Sequence, residues 1–248
     1  MYKNNWCSLL IVVFTTTSII SQNIGGEVLY KLRLTKNMVS HKTISKKDNE
    51  TGKMLNFMNQ SLNRNVEDFQ FLLKFNSIES IFKMVDALED ESNKSYKIAV
   101  ILSEAGNVYY LNKIAKKIII SKMVYGEKVK VKTDIDTYKW VLHNNYRKIG
   151  KYQCYKATAF KIIENNKGVF KKEIVAWYTP QIPYSFGPKG YGGLPGLILE
   201  LKEGNLTYYS TKIRLNIKVK INKLSEKGLV KQQELDSIGR ILIKKGSF

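Results

Sequence analysis

Cys154 and the two histidines, His41 and His143, have the most chemistry to offer, and they are few. Cys154 with His143 would give a thiolate pair, a nucleophile beside a base. Cys154 lies in the alternating stretch Tyr152–Ile162, however, where a cysteine ordinarily serves as a small buried hydrophobe. Two histidines cannot build a histidine-rich metal site. Asp134 and Asp136 would supply a carboxylate pair, but they flank a basic strand and are better placed to satisfy its lysines. The chain carries no G-x-S-x-G elbow, no H-E-x-x-H, no C-x-x-C and no D-x-D-x-D-G calcium loop. Gly190-Tyr191-Gly192-Gly193-Leu194-Pro195 lacks the last glycine of a dinucleotide fingerprint. The expectation is no catalytic residue, no metal and no cofactor.

Aromatic side chains are the stronger candidates for recognition: Trp140, Tyr152, Tyr155, Trp177, Tyr178, Tyr184 and Tyr191. Lining a groove, they would suit lipid, glycan or peptide. Strand propensity and core packing explain the same residues. Aromatic–basic interleaving also resembles single-strand nucleic acid binding, which export would make irrelevant.

These residues need strands to position them. Val28, Tyr30, Leu32 and Leu34 alternate with polar neighbours, as do Phe69, Phe71, Leu73 and Phe75. Val129, Val131 and Ile135 oppose lysines, and Ile213, Leu215, Ile217, Val219 and Ile221 do the same. Further strands are predicted at Asn107–Leu111, Lys117–Tyr125, Tyr138–His143, Tyr152–Ile162, Phe170–Trp177 and Leu197–Leu201. The turn Asn165–Gly168 joins two of them as a hairpin. Ile78–Leu88 fits helix or strand. Residues 36–64 read as a long polar loop. Leu229, Leu235, Ile238, Ile241 and Leu242 suit a C-terminal helix. The pattern predicts a mainly β, β-rich α+β domain over 22–248. About ten strands would form a strongly curved antiparallel sheet or incomplete barrel, with few other helical segments.

At the N-terminus, Lys3 precedes the apolar run Trp6–Ile20, and Ser21 offers a small residue for cleavage. Residues 1–21 thus read as a secretory signal peptide, and the chain is expected to be periplasmic or extracellular. Cys7 precedes the run, unlike a lipoprotein cysteine. Cys154 then remains alone, so no internal disulfide is expected. The formal charge of +20 across 248 residues reads as lysine-rich bias plus solubility, or as attraction to an anionic partner. No later run reaches the length of a transmembrane helix.

All four prolines, Pro180, Pro183, Pro188 and Pro195, fall in or just before one stretch, Gly187–Glu200 (GPKGYGGLPGLILE). Proline ends the preceding strand. Pro195-Gly196 suits the centre of a type II turn. Leu194, Leu197, Ile198 and Leu199 are too apolar for a free loop, so 180–196 is expected to be a rigid crossover.

Gly193-Leu194-Pro195-Gly196-Leu197-Ile198 spells GLPGLI. With Trp140, Lys148–Thr158 around Cys154, Ala176-Trp177-Tyr178-Thr179, Ile182-Pro183 and Gly187-Pro188, it resembles the GLPGLI family of exported Bacteroidetes proteins. The likeness is specific from about Trp140 to Glu200; the family commonly has glycine where Lys151 stands. It implies an exported β-rich protein of unknown function. Architecturally it is faintly similar to LolA-type periplasmic lipoprotein carriers. The functional expectation is a non-enzymatic envelope binding or carrier module with an apolar groove, for a lipid-like ligand or an outer-membrane protein. The alternatives are a structural module docking on an outer-membrane partner, or a hydrolase with an unrecognised site.

Overall fold

Alternation of apolar and polar residues gives the chain its sheet. In a computed structural model, which describes residues 24–85, 93–124, 126–135, 138–165, 168–231 and 234–235, two successive meanders form. The first comprises β1 (Ile24–Leu34), β2 (Gln70–Asn76), β3 (Glu79–Met84), β4 (Val108–Asn112), β5 (Lys117–Val124) and β6 (Glu127–Asp134). The second comprises β7 (Val141–Ile149), β8 (Tyr152–Asn165), β9 (Gly168–Thr179), β10 (Leu197–Glu203) and β11 (Leu206–Lys218). Antiparallel pairing of β1 with β11 joins them, from Ile24 opposite Lys218 to Leu34 opposite Leu206. A short β12 (Leu229–Lys231) adds parallel to β6.

The result is one twelve-stranded sheet in the order β12-β6-β5-β4-β3-β2-β1-β11-β10-β9-β8-β7. It is not closed into a barrel: β12 and β7 are its edges. It is nonetheless strongly curved. Six strand spacings separate β5 from β10, about 29 Å if flat. Yet Lys189 reaches Glu203 of β10 while its neighbour Gly190 packs against Ile118 of β5.

One face of this sheet carries the core. Val28, Tyr30 and Leu32 are buried there, with Phe69, Phe71, Leu73 and Phe75 beside them. Phe71 stacks on Phe82 at 5.3 Å and meets Tyr208 edge-on at 5.1 Å, geometries that aromatic quadrupoles favour. Two helices cover this face, α2 (Asn49–Asn65) and α3 (Lys94–Ser103), preceded by a single turn, α1 (His41–Ile44). Tyr208 donates to the Ser103 carbonyl, tying β11 to the end of α3.

The helix α2 corrects the loop expected over 36–64. Asp48 caps it by accepting from the Thr51 N–H at 2.8 Å, satisfying an otherwise orphaned donor. Its buried side is mostly small or polar: Gly52, Asn59, Ser61 and Leu62. Asn59 both accepts from Val39 N–H and donates to its carbonyl, pinning the preceding segment. That polar contact face hid the helical period. α3 was also unforeseen; Asn93 caps it through the Tyr96 N–H. Ile78–Leu88 resolves as strand over β3. Leu229 begins a strand and not a helix, while Ile238, Ile241 and Leu242 lie outside the described residues, as do residues 1–21 and Asp136. Among the described residues, no helix is long and apolar enough to cross a membrane.

Candidate functional site

The crossover leaves β9 at Thr179 and returns at Leu197, between strands that are already neighbours. It nevertheless crosses the core face as far as β5. Ile182, Phe186, Tyr191 and Leu194 are buried beneath it. The backbone is knitted to itself: Leu197 N–H donates to the Ile182 carbonyl and Ile198 N–H to the Phe186 carbonyl. Tyr30 donates to the Ile198 carbonyl at 2.6 Å. Trp140, just before β7, donates from Nε1 to the Gly192 carbonyl at 2.9 Å and meets Tyr191 edge-on. This contact explains why the predicted strand Tyr138–His143 begins only at Val141: Tyr138 and Trp140 turn onto Tyr191.

At the Pro195 corner the expected type II turn is not formed. Gly196 N–H donates to the Leu194 carbonyl at 2.8 Å, a three-residue γ-type turn around Pro195. Gly196 has φ +151°, and a Cβ there would collide with the Thr179 carbonyl oxygen. Glycine is required by this close approach. Leu197, Ile198 and Leu199 are all buried because the register shifts between Ile198 and Glu200.

The sequence-selected residues therefore divide. Trp140, Gly187, Pro188, Leu194, Gly196, Leu197 and Ile198 meet on the core side, and Tyr178 pairs with Ile198 in register. Pro183, Gly193 and Pro195 lie at the surface. Cys154 and Trp177 point to the opposite face. There Arg147 stacks 4.1 Å over the Trp177 ring and bridges to Glu200 at 2.7 Å, and Arg33 reaches the other Glu200 oxygen at 3.2 Å. Cys154 lies opposite Arg147 and is fully buried; burial pushes its thiol up to about 11. His143 bonds Thr158 at 2.8 Å. No thiol–imidazole pair is assembled.

Sequence reasoning missed a buried charge cluster. Lys189, on the crossover, places Nζ 2.7 Å from Glu203 of β10 and 2.7 Å from Glu104 at the end of α3. Lys161 and Lys172, paired across β8 and β9, approach the same Glu203 Oε1 at 3.3 and 3.4 Å. Burial raises the Glu203 pKa, but Lys189, then Lys161 and Lys172, outweigh it and hold the carboxyl far below the usual range. Burial lowers Lys189, but the Tyr109 oxygen, Glu203, Tyr208 and Glu104 outweigh it and raise its pKa well above normal. Both Lys189 and Glu104 have left-handed backbones, φ +54° and +57°, a strain worth roughly 1–3 kcal/mol each that surrounding structure must sustain. A signal did exist: Lys189 is the only charged residue between Glu173 and Glu200. Lys189 and Glu203 thus each favour the charged form of the other. A cavity of about 310 Å³ opens beside it, walled by Leu34, Met38, Leu102 and Leu206.

The far end of the sheet is different. The β8–β9 hairpin continues to Asn165 opposite Gly168, whereas β10 pairs with β9 only to Ile174 and β7 pairs with β8 only to Thr158. Beyond Phe160 and Glu173 it is a two-stranded ribbon. Phe160, Ile162, Val169 and Phe170 are 53, 57, 66 and 46% exposed on it.

A family model described as "Protein of unknown function (Porph_ging)" matches residues 167–200, which span β9, the crossover and the start of β10. No curated protein matches the sequence. Among solved structures, PNGF-II is similar in two crystal forms. The C2 form gives a TM-score of 0.47 at 14% identity over 88% of this chain and 32% of that one. The P21 form gives 0.48 at 14% identity over 88% and 34%. The chain thus spans about a third of the length of PNGF-II.

Proposed function

We propose that the chain is a non-enzymatic interaction module of the GLPGLI type, exported to the periplasm or cell surface, which docks on an envelope protein through the β8–β9 ribbon. The observation that carries this reading is the ribbon's large apolar side chains, exposed where the sheet has run out of neighbours: Phe160, Ile162 and Val169 share one face, and Phe170 lies on the other. A two-stranded hairpin is marginal by itself, and clustered exposed apolar groups mark interaction sites. By sequence, residues 160–173 hold four lysines and two glutamates, so the fitting partner offers an apolar cleft with an acidic rim. The reading as a carrier of large lipids is weaker: crossover and helices cover the core face, and the cavity beside the charge cluster, about 310 Å³, is too small for a lipid with long acyl chains. For the hydrolase reading, Cys154 and His143 have other partners, the Tyr152 carbonyl and Thr158.

A photo-crosslinking amino acid at Ile162 tests this in the producing cell. The expected result is one discrete protein adduct, lost in a Val169→Asp chain that still folds. Adducts to lipid alone, or the same adducts from a crosslinker at Ile101, exposed on α3, would refute it.

A further inference from the structure

The cavity beside the charge cluster lies apart from the ribbon. We propose that it binds a small organic monoanion with an apolar tail, in the class of a medium-chain carboxylate, its head at Lys172 and its tail between Leu34, Met38 and Leu206. This stands independently of docking through the ribbon.

Size comes first. About 310 Å³ holds about ten non-hydrogen atoms, taking roughly 30 Å³ for each as for liquid water. Charge comes next. Three ammonium groups, Lys161, Lys172 and Lys189, face two carboxylates, Glu104 and Glu203. Lys189 is committed to both carboxylates at 2.7 Å. Lys161 and Lys172 share one oxygen of Glu203 at 3.3 and 3.4 Å, and an ammonium has three donors to place. The surplus positive charge therefore sits on this lysine pair, and Lys172 lines the cavity. One carboxylate there would balance the cluster. A divalent cation would face three lysines. A dianion such as phosphate would be drawn by the lysines but would have to face Glu104 and Glu203 as well. The wall beyond Lys172 is apolar, which selects a tail.

The backbone leaves Lys172 room. Gly204 has φ +62°, and a Cβ on it would meet Lys172 Cε at 2.6 Å. Any side chain at 204 would displace the ammonium from its place at the cavity mouth.

Calorimetric titration of the purified chain with octanoate, octanol and inorganic phosphate tests the proposal. Octanoate is expected to saturate one site, with octanol and phosphate at least about tenfold weaker. Lys172→Met should weaken octanoate at least about tenfold, and Lys172→Arg should restore most of it. The lysine is over a third exposed, so the methionine variant should unfold like the parent, and its denaturation midpoint is measured alongside. Gly204→Ala, a second route to the same displacement, should weaken octanoate too. Equal binding of octanol and octanoate, octanoate binding unaffected by Lys172→Met, or no binding of any titrant would overturn it.

Discussion

Replacing Glu203 by Gln tests whether the buried cluster holds the crossover down. The carboxylate is 3% exposed and faces three lysines. Lys161 and Lys172 can turn to water, so losing their partner costs little. Lys189, 8% exposed, cannot. It would keep only Glu104, whose side chain is 47% exposed. Removing one partner of a buried ion pair costs 3–5 kcal/mol; because Glu104 remains, the low end applies, about 3 kcal/mol. For a domain of this size that is a drop of about 6–12 °C in Tm. Replacing both partners, Glu203→Leu with Lys189→Met, removes the uncompensated charge and should cost less than Glu203→Gln alone. Urea denaturation followed by circular dichroism compares the three chains. A single substitution costing under about 1 kcal/mol, or a double variant worse than the single, would refute the reasoning.

Other outcomes follow from the same geometry. Gly196→Val should cost more than about 3 kcal/mol or prevent folding, since its Cβ would overlap the Thr179 carbonyl oxygen, while Pro195→Ala at the exposed corner should cost only about 0.4–1 kcal/mol; denaturation midpoints decide. The depressed Glu203 pKa gives stability that is fully present above the unfolded carboxylate value, about 4.3. It is lost as pH falls through the lower folded value, so the gap between parent and Glu203→Gln should begin to narrow only below about pH 4, shrink progressively at more acid pH, and persist in full at pH 7. The raised Lys189 pKa acts oppositely, contributing fully below about 10.4 and fading as pH rises through the higher folded value. Cys154, its thiol pushed up to about 11 by burial, should resist alkylation at pH 8 until the chain is unfolded; peptide mapping that finds it modified in the folded protein would contradict this.

Most strands were readable because they have one dry face; β7, which has no buried residue, was read only in part. Val28, Tyr30 and Leu32 in β1, or Ile174 and Ala176 in β9, announce a period of two, and burial follows it. The crossover was readable too, from prolines and glycines wrapped around leucines. What sequence hid was a matter of contact. α2 buries Asn59 and Ser61, whose partners are backbone and not an apolar stripe. Glu200 and Glu203 look alike in LILELKEG, yet an odd spacing of three along β10 sends one to each face of the sheet, and which face is the buried one is set by the pairing. Only the fold brings Lys189 and Glu104 to that second glutamate, and only pairing lengths reveal that the β8–β9 hairpin outruns its neighbours.

The joint between β1 and β11 governs how the protein assembles as it emerges from synthesis. Each meander can begin to zip as its strands appear, because each strand pairs with the next in sequence. The joint cannot, because its two strands lie at opposite ends of the described chain. Until β11 arrives, β1 presents a bare edge, and Val28, Tyr30 and Leu32 lack their β11 neighbours Ile213, Ser210 and Tyr208. Pairings across such sequence distance form slowly, and open strand edges invite association with other chains. The vulnerable interval is therefore the last stage of chain delivery, and a chain cut short within β11 would be left with two unjoined half-sheets.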